Sequence, residues 1–186
     1  VNCRDLGGYI CHGGVTRYGR VLRCGVPRNP SESDLSLLRN FGVKSVIDLR
    51  GDTEADEMPS AFPGEGFDYY RFSLFDANPA MLGETNEMSD LYLFCIRECG
   101  KGVYNALSLI ARLNGSFMVH CFLGKDRTGM LCALLLAAAG VSREDIIADY
   151  VMSEVYLKPF YMHEIGNGTG LLWEADVAKL GSPPKN

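Results

Sequence analysis

The sequence predicts an α/β fold, a single domain with a central, mostly parallel sheet flanked by helices. Three observations predict it. Strand-like runs alternate with helical runs along the chain, the pattern of a parallel sheet with crossover helices. The run Val43-Lys44-Ser45-Val46-Ile47-Asp48-Leu49 is mostly apolar, as a strand covered on both faces must be. Ser116 to His120 leads into a glycine-bearing loop and then an apolar helical run from Met130 to Ala139. That order puts the loop at the carboxyl end of a strand, where such sheets place their ligands.

Taken in order, Asn2 to Tyr9 is polar and then glycine-rich, an irregular start followed by β structure. Tyr9–Cys11 and Val15–Thr16 flank His12-Gly13-Gly14 as a hairpin. Arg20–Cys24 reads as a strand. A helix starts after Ser31 or Ser33, carries Leu35, Leu37, Leu38 and Phe41 on one face and stops at Gly42. After the 43–49 strand, the acidic stretch to Met58 forms a short helix. Phe67–Leu74 is the next strand, and residues 75–88 are irregular. Ser89–Arg97 and Lys101–Leu113 are helices broken near Gly100. Beyond the loop, helices run over Arg127–Ala139 and from Ser142 to about Leu157. Residues 158–186, with Pro159, Gly166, Gly168 and Gly170, read as loop plus a short helix over Trp173–Leu180.

Composition narrows the function. The chain has 186 residues, 47% hydrophobic and 22% charged, enough for one domain with a sizeable core (residues 1–186). A net charge of −5 argues against nucleic acid as a partner. The apolar run Met130–Val141 is too short to span a bilayer. The seven cysteines are odd in number and irregularly spaced, and the histidines are scattered, so neither a disulfide framework nor a metal site is expected. A reducing cytoplasm is the default setting. No signal peptide is visible at the start, but export stays open because the first residue is Val1 and not Met. No cofactor is implied, and a monomer is expected.

Residues 120–129, His-Cys-Phe-Leu-Gly-Lys-Asp-Arg-Thr-Gly, carry the chemistry. A loop running into a helix N-terminus offers free N–H groups and the positive end of the helix dipole to an anion. Phe122, Leu123, Gly124, Lys125, Asp126, Arg127 and Thr128 form the cradle. Arg127 grips two phosphate oxygens at once. Cys121 sits beneath them as a nucleophile, since the thiolate is the form that attacks phosphorus. Thr128 is placed to hydrogen-bond the sulfur and help it leave. His120 orients the loop rather than acting as a base. The Cys-x5-Arg spacing alone is weak, because Cys11 and Arg17 share it. Cys11 lies in a hairpin with no helix after it, and context separates the two. A nucleotide-binding reading of Gly124-Lys125 fails, because Asp126 follows the lysine and no glycine stands at the earlier offset.

His120-Cys121-x-x-Gly124-Lys125-Asp126-Arg127-Thr128-Gly129 resembles the cysteine-dependent protein tyrosine phosphatase superfamily. With Asn2-x-Arg4-Asp5-Leu6-Gly7-Gly8-Tyr9 and Val46-Ile47-Asp48-Leu49-Arg50, it is similar to a bacterial branch of tyrosine and lipid phosphatases. The resemblance runs from residue 2 to about residue 157. Cys24 stands where the branch commonly has serine, and residues 158–186 diverge. It implies hydrolysis of phosphotyrosine, with breadth to phosphoserine, phosphothreonine and phosphoinositides. The expected partner is therefore a phosphoprotein or a phospholipid headgroup. It implies Cys121 as nucleophile, Arg127 as phosphate binder and Lys125 as a further phosphate contact. Asp126 is the first candidate for general acid: a bound dianion beside it favours the protonated carboxyl. Asp76 stands second and Asp90 third, as loop carboxylates ahead of the catalytic strand. Arg4, Asp5, Asp48 and Arg50 read as a buried charge network bracing the loop. Two other functions fit the loop: phosphate recognition without turnover, and thiol chemistry on another oxyanion such as arsenate, with Cys132 as partner.

Overall fold

The computed structural model describes residues 1–75 and 88–166. Its elements are β1 (Arg4–Asp5), β2 (Ile10–Cys11), β3 (Gly14–Val15), β4 (Val21–Gly25), α1 (Glu32–Phe41), β5 (Val43–Arg50), α2 (Asp52–Glu57), β6 (Asp68–Phe75), α3 (Met88–Glu98), α4 (Gly100–Ile110), β7 (Ser116–Cys121), α5 (Asp126–Ala139) and α6 (Arg143–Gly166). A five-stranded sheet has the order β1-β4-β7-β5-β6. All its pairings are parallel except β1 with β4. The α/β fold with a mostly parallel sheet is the one the sequence predicts.

Alternation along the central strands splits the core between the two faces. Phe117, Val119 and Cys121 of β7 join Ile47 and Leu49 of β5, under Ala106, Ile110, Leu131 and Leu136 of α4 and α5. On the other face Met118 and Val46 meet Leu35 of α1, with Phe62 and Phe67. α1 begins with a capping box: the Ser31 hydroxyl accepts from the Asp34 N–H and the Asp34 carboxylate from the Ser31 N–H. It ends at Gly42, whose φ of 93° a side chain would resist.

Two segments depart from expectation. The irregular start contains β1, because Arg4 pairs with Arg23 and Asp5 with Leu22 along β4. The last helix does not stop near Leu157 but continues through Pro159 to Gly166. Proline in a helix interior costs about 3 kcal/mol through a lost hydrogen bond and a clash with the carbonyl four residues back. That residue, Val155, is exposed, so the break falls on the solvent side of the helix. The helix is held on both sides of Pro159, by Leu157 before it and Tyr161 after it, which pack with Leu123 in a small third core. Residues 158–166 therefore belong to the packed structure. The short helix expected over Trp173–Leu180 lies outside the described residues.

Candidate active site

Cys121 ends β7, beside Gly25 of β4, and α5 starts at Asp126. The four intervening carbonyls are all tied away from the loop centre. That of Phe122 accepts from the Val26 N–H at 3.0 Å. Those of Leu123 and Gly124 accept from the Asn2 amide at 3.1 and 2.9 Å. Arg23 donates to Gly124 and Lys125 at 2.8 and 3.3 Å. With its carbonyls held outward, the loop turns its N–H groups inward, which makes an anion-binding concavity. Gly124 is required here: its φ is +68°, and a Cβ would lie 2.2 Å from the Cys24 carbonyl.

Arg127 is buried in the first turn of α5, and both its terminal nitrogens donate to the Glu54 carboxylate, one of them at 2.7 Å. Glu54 comes from α2, which the acidic stretch after β5 forms as expected. The carboxylate fixes the plane of the guanidinium. Lys125 is nearly buried, and burial pushes its amine below the ordinary lysine range, offset in part by Asp126 and Glu154. It is not a solvated loop lysine. Asp126 accepts hydrogen bonds from the phenols of Tyr92 on α3 and Tyr150 on α6, the latter at 3.0 Å. Burial, and then the Asp126 charge, raises both phenols well above the usual tyrosine range, so they remain neutral donors. Thr128 is fully buried, and its hydroxyl has no hydrogen-bond partner among the described residues. Gly129 lets α5 approach α6: a Cβ there would meet the Tyr150 ring at 2.9 Å.

The expected four-residue charge network is two separate ones. Behind the sheet, Arg50 donates to both Asp48 oxygens, at 2.7–3.0 Å, and Tyr69 donates to Asp48 at 2.8 Å. His120 lies 3.7 Å from Asp48 through Nε2, and its Nδ1 is 3.3 Å from the Cys121 carbonyl. The second network is built on Asp149 of α6. Arg4 binds it at 2.9 Å, Arg23 binds its other oxygen, and Tyr9 donates to it at 3.2 Å. Arg4 also donates to the Asn2 carbonyl group of the side chain, which aims the Asn2 amide at the loop. Asp5 belongs to neither: it accepts from the N–H groups of Gly7 and Gly19 at 2.7 and 2.6 Å. The two networks are separate because Asp48 and Arg4 come from different strands, with β7 and β4 between β5 and β1.

Asp76 lies outside the described residues, and Asp90 falls in the first turn of α3. Arg23, Glu54, Tyr92, Tyr150 and Asp149 were not singled out from sequence, and Asn2 stood in the N-terminal motif with no role assigned. Arg23 carried a signal, a charge inside an otherwise apolar strand. Cys132 is fully buried, and burial pushes its thiol up to about 11, which works against a thiolate partner for Cys121.

Two predictions arise here. Asp149→Ala leaves the fully buried Arg23 without its carboxylate, and should lower unfolding stability by about 3–5 kcal/mol. A denaturant midpoint close to wild type would contradict that role. The second concerns His120. Burial is the largest influence on its imidazole and holds it below the ordinary 6.5. Its folded-state value is thus below its unfolded one, so its contribution is complete above about pH 6.5 and declines as pH falls toward the folded value. Urea midpoints should drop on acidification from pH 7, and the drop should be shallower in His120→Gln. Parallel curves would refute the assignment.

A family model described as the tyrosine phosphatase family matches residues 1–174. A protein of Cupriavidus necator named as a candidate tyrosine-protein phosphatase is 30% identical over 184 residues, covering 91% of this chain and 66% of that protein. The triple specificity protein phosphatase PtpB of Mycobacterium tuberculosis is 28% identical over 171 residues, covering 74% of this chain and 62% of that one. The chain thus spans less than two thirds of the length of these relatives. Among solved structures, the core catalytic domain of the PP-IP phosphatase SIW14 from S. cerevisiae superimposes with a TM-score of 0.50 at 18% identity, covering 82% of this chain and 75% of that one. That likeness concerns the fold.

Proposed function

The chain belongs to the tyrosine phosphatase family, and we propose that it is a phosphomonoester hydrolase acting through a phosphocysteine intermediate. The observation that carries this reading is the loop whose carbonyls are tied outward, with Cys121 at its start and Arg127 at its end. In this mechanism the loop N–H groups and Arg127 hold the three non-bridging phosphate oxygens, and Lys125 adds charge at the rim. The Cys121 thiolate attacks phosphorus in line with the ester oxygen. Asp126 gives that oxygen a proton as the bond breaks. Water then attacks the phosphocysteine, Asp126 takes its proton, and the Thr128 hydroxyl stabilises the departing sulfur. The two phenols on Asp126 supply a reservoir of hydrogen bonds that keeps the carboxylate aimed between the two steps.

Phosphotyrosine is the first substrate we propose, with phosphoserine, phosphothreonine and phosphoinositides within reach of the same cradle. We take the chain to be one phosphatase domain acting as a monomer in a reducing compartment. Among the described residues no helix is long and apolar enough to cross a membrane. The test is release of phosphate from an aryl phosphate, without added metal, at about pH 5 to 8. Turnover of phosphotyrosine peptide ahead of phosphoserine peptide and phosphoinositide vesicles is expected. No turnover of any of them would overturn the proposal.

A further inference from the structure

Beside the cradle lies a cation that the mechanism above does not use. Arg28 follows β4 in the segment Val26-Pro27-Arg28-Asn29-Pro30. This segment is stiff. Prolines stand on both sides, Asn29 holds the left-handed φ of 48° that few side chains adopt, and the Val26 N–H is bonded to the cradle carbonyl of Phe122. The Arg28 guanidinium lies over two aromatic rings, Phe122 at 5.3 Å and Phe160 at 5.5 Å. Phe122 is the first residue of the cradle after Cys121. Phe160 is on the part of α6 beyond Pro159, and it packs edge-on to Tyr161, which anchors that part against Leu123.

Stacking engages the faces of a guanidinium and leaves its in-plane N–H fork available. Arg28 is exposed, and among the described residues its fork has no hydrogen-bond or ion-pair partner. The side chain is thus held in place at little further entropic cost, with its donors directed to solvent at the edge of the cradle. We propose that Arg28 is a second anion-binding position, which selects phosphotyrosine peptides bearing an acidic side chain close to the phosphotyrosine. A carboxylate matches the fork in two-point geometry. A peptide fits better than an anionic membrane, because the chain's net charge of −5 opposes docking on an extended negative surface. The inference rests on the phosphate-binding part of the proposed function and not on turnover.

Binding is therefore the readout. Two phosphotyrosine peptides, identical but for Glu or Gln next to the phosphotyrosine, are titrated into Cys121→Ser protein and into the same protein carrying Arg28→Gln. In the first, the Glu peptide should bind about three- to tenfold more tightly at low salt, with the preference shrinking as salt is raised. Arg28→Gln should remove the preference, and Arg28→Lys should restore only part of it, since charge returns without the fork. A Glu-to-Gln ratio unchanged by Arg28→Gln would overturn the proposal. So would a ratio near one in the parent protein, or an Arg28 effect seen on bisphosphorylated inositol lipid vesicles and not on the peptides. Loss of aryl phosphate turnover in the wild type would count against the hydrolase reading alone.

Discussion

Cys121→Ser protein is expected to release phosphate at least about 10³-fold more slowly than wild type, because a serine hydroxyl is not ionised at neutral pH as a thiol nucleophile must be. The exchange is nearly isosteric at a buried strand end, so the fold should survive it. The cradle should survive too, because its N–H groups are set by Asn2, Arg23 and Val26 and not by the sulfur. The variant should therefore still bind phosphate or vanadate, seen as a rise in melting temperature with ligand. Activity within tenfold of wild type would mean that the phosphoryl group is not accepted by Cys121.

Arg127 gives the second large effect. Arg127→Ala should lose about 10²–10³ in kcat/KM, the range seen when a preorganised donor to developing charge is removed. Arg127→Lys should recover little of it, since an ammonium keeps the charge and loses the planar fork. The two-point pair with Glu54 makes a further demand: without Arg127 the Glu54 carboxylate loses its cation and keeps the Gly51 N–H, so some stability is lost as well. The unfolding midpoint and the kinetic constants must be measured on the same samples. A variant that loses stability and keeps its kcat would place Arg127 outside the reacting centre.

The fold was legible because its signals are local. The apolar 43–49 strand, the Ser31 cap with Gly42, and the strand leading to Cys121 each carry their own periodicity or cap, and each element forms where those signals lie. β1 was not legible, since two residues of strand are defined by their partner β4 and by nothing in their own composition. The continuation of α6 past Pro159 was hidden for a related reason. A local rule ends the helix there, and burial of Leu157 and Tyr161 overrides it.

The site divides in the same way. Residues contiguous in the loop were visible as a motif with a mechanism. The residues that hold the loop were not, because they arrive from far along the chain. Asn2 and Arg23 reach Gly124 from more than 100 residues away, and Glu54 reaches Arg127 from 73. Asp149 looks like any polar residue of a helix until the strands bring Arg4 and Arg23 to it. The grouping of Arg4 and Asp5 with Asp48 and Arg50 failed for want of strand order: β7 and β4 stand between their strands.

The central claim is that the phosphoryl group passes through Cys121. Wild-type protein mixed with an excess of aryl phosphate and stopped by rapid denaturation should carry a phosphoryl group on the peptide containing Cys121, formed as fast as the aryl alcohol is first released. Cys121→Ser protein should carry none. Turnover with no phosphorylated protein at any time, or with the label on another residue, would contradict the account.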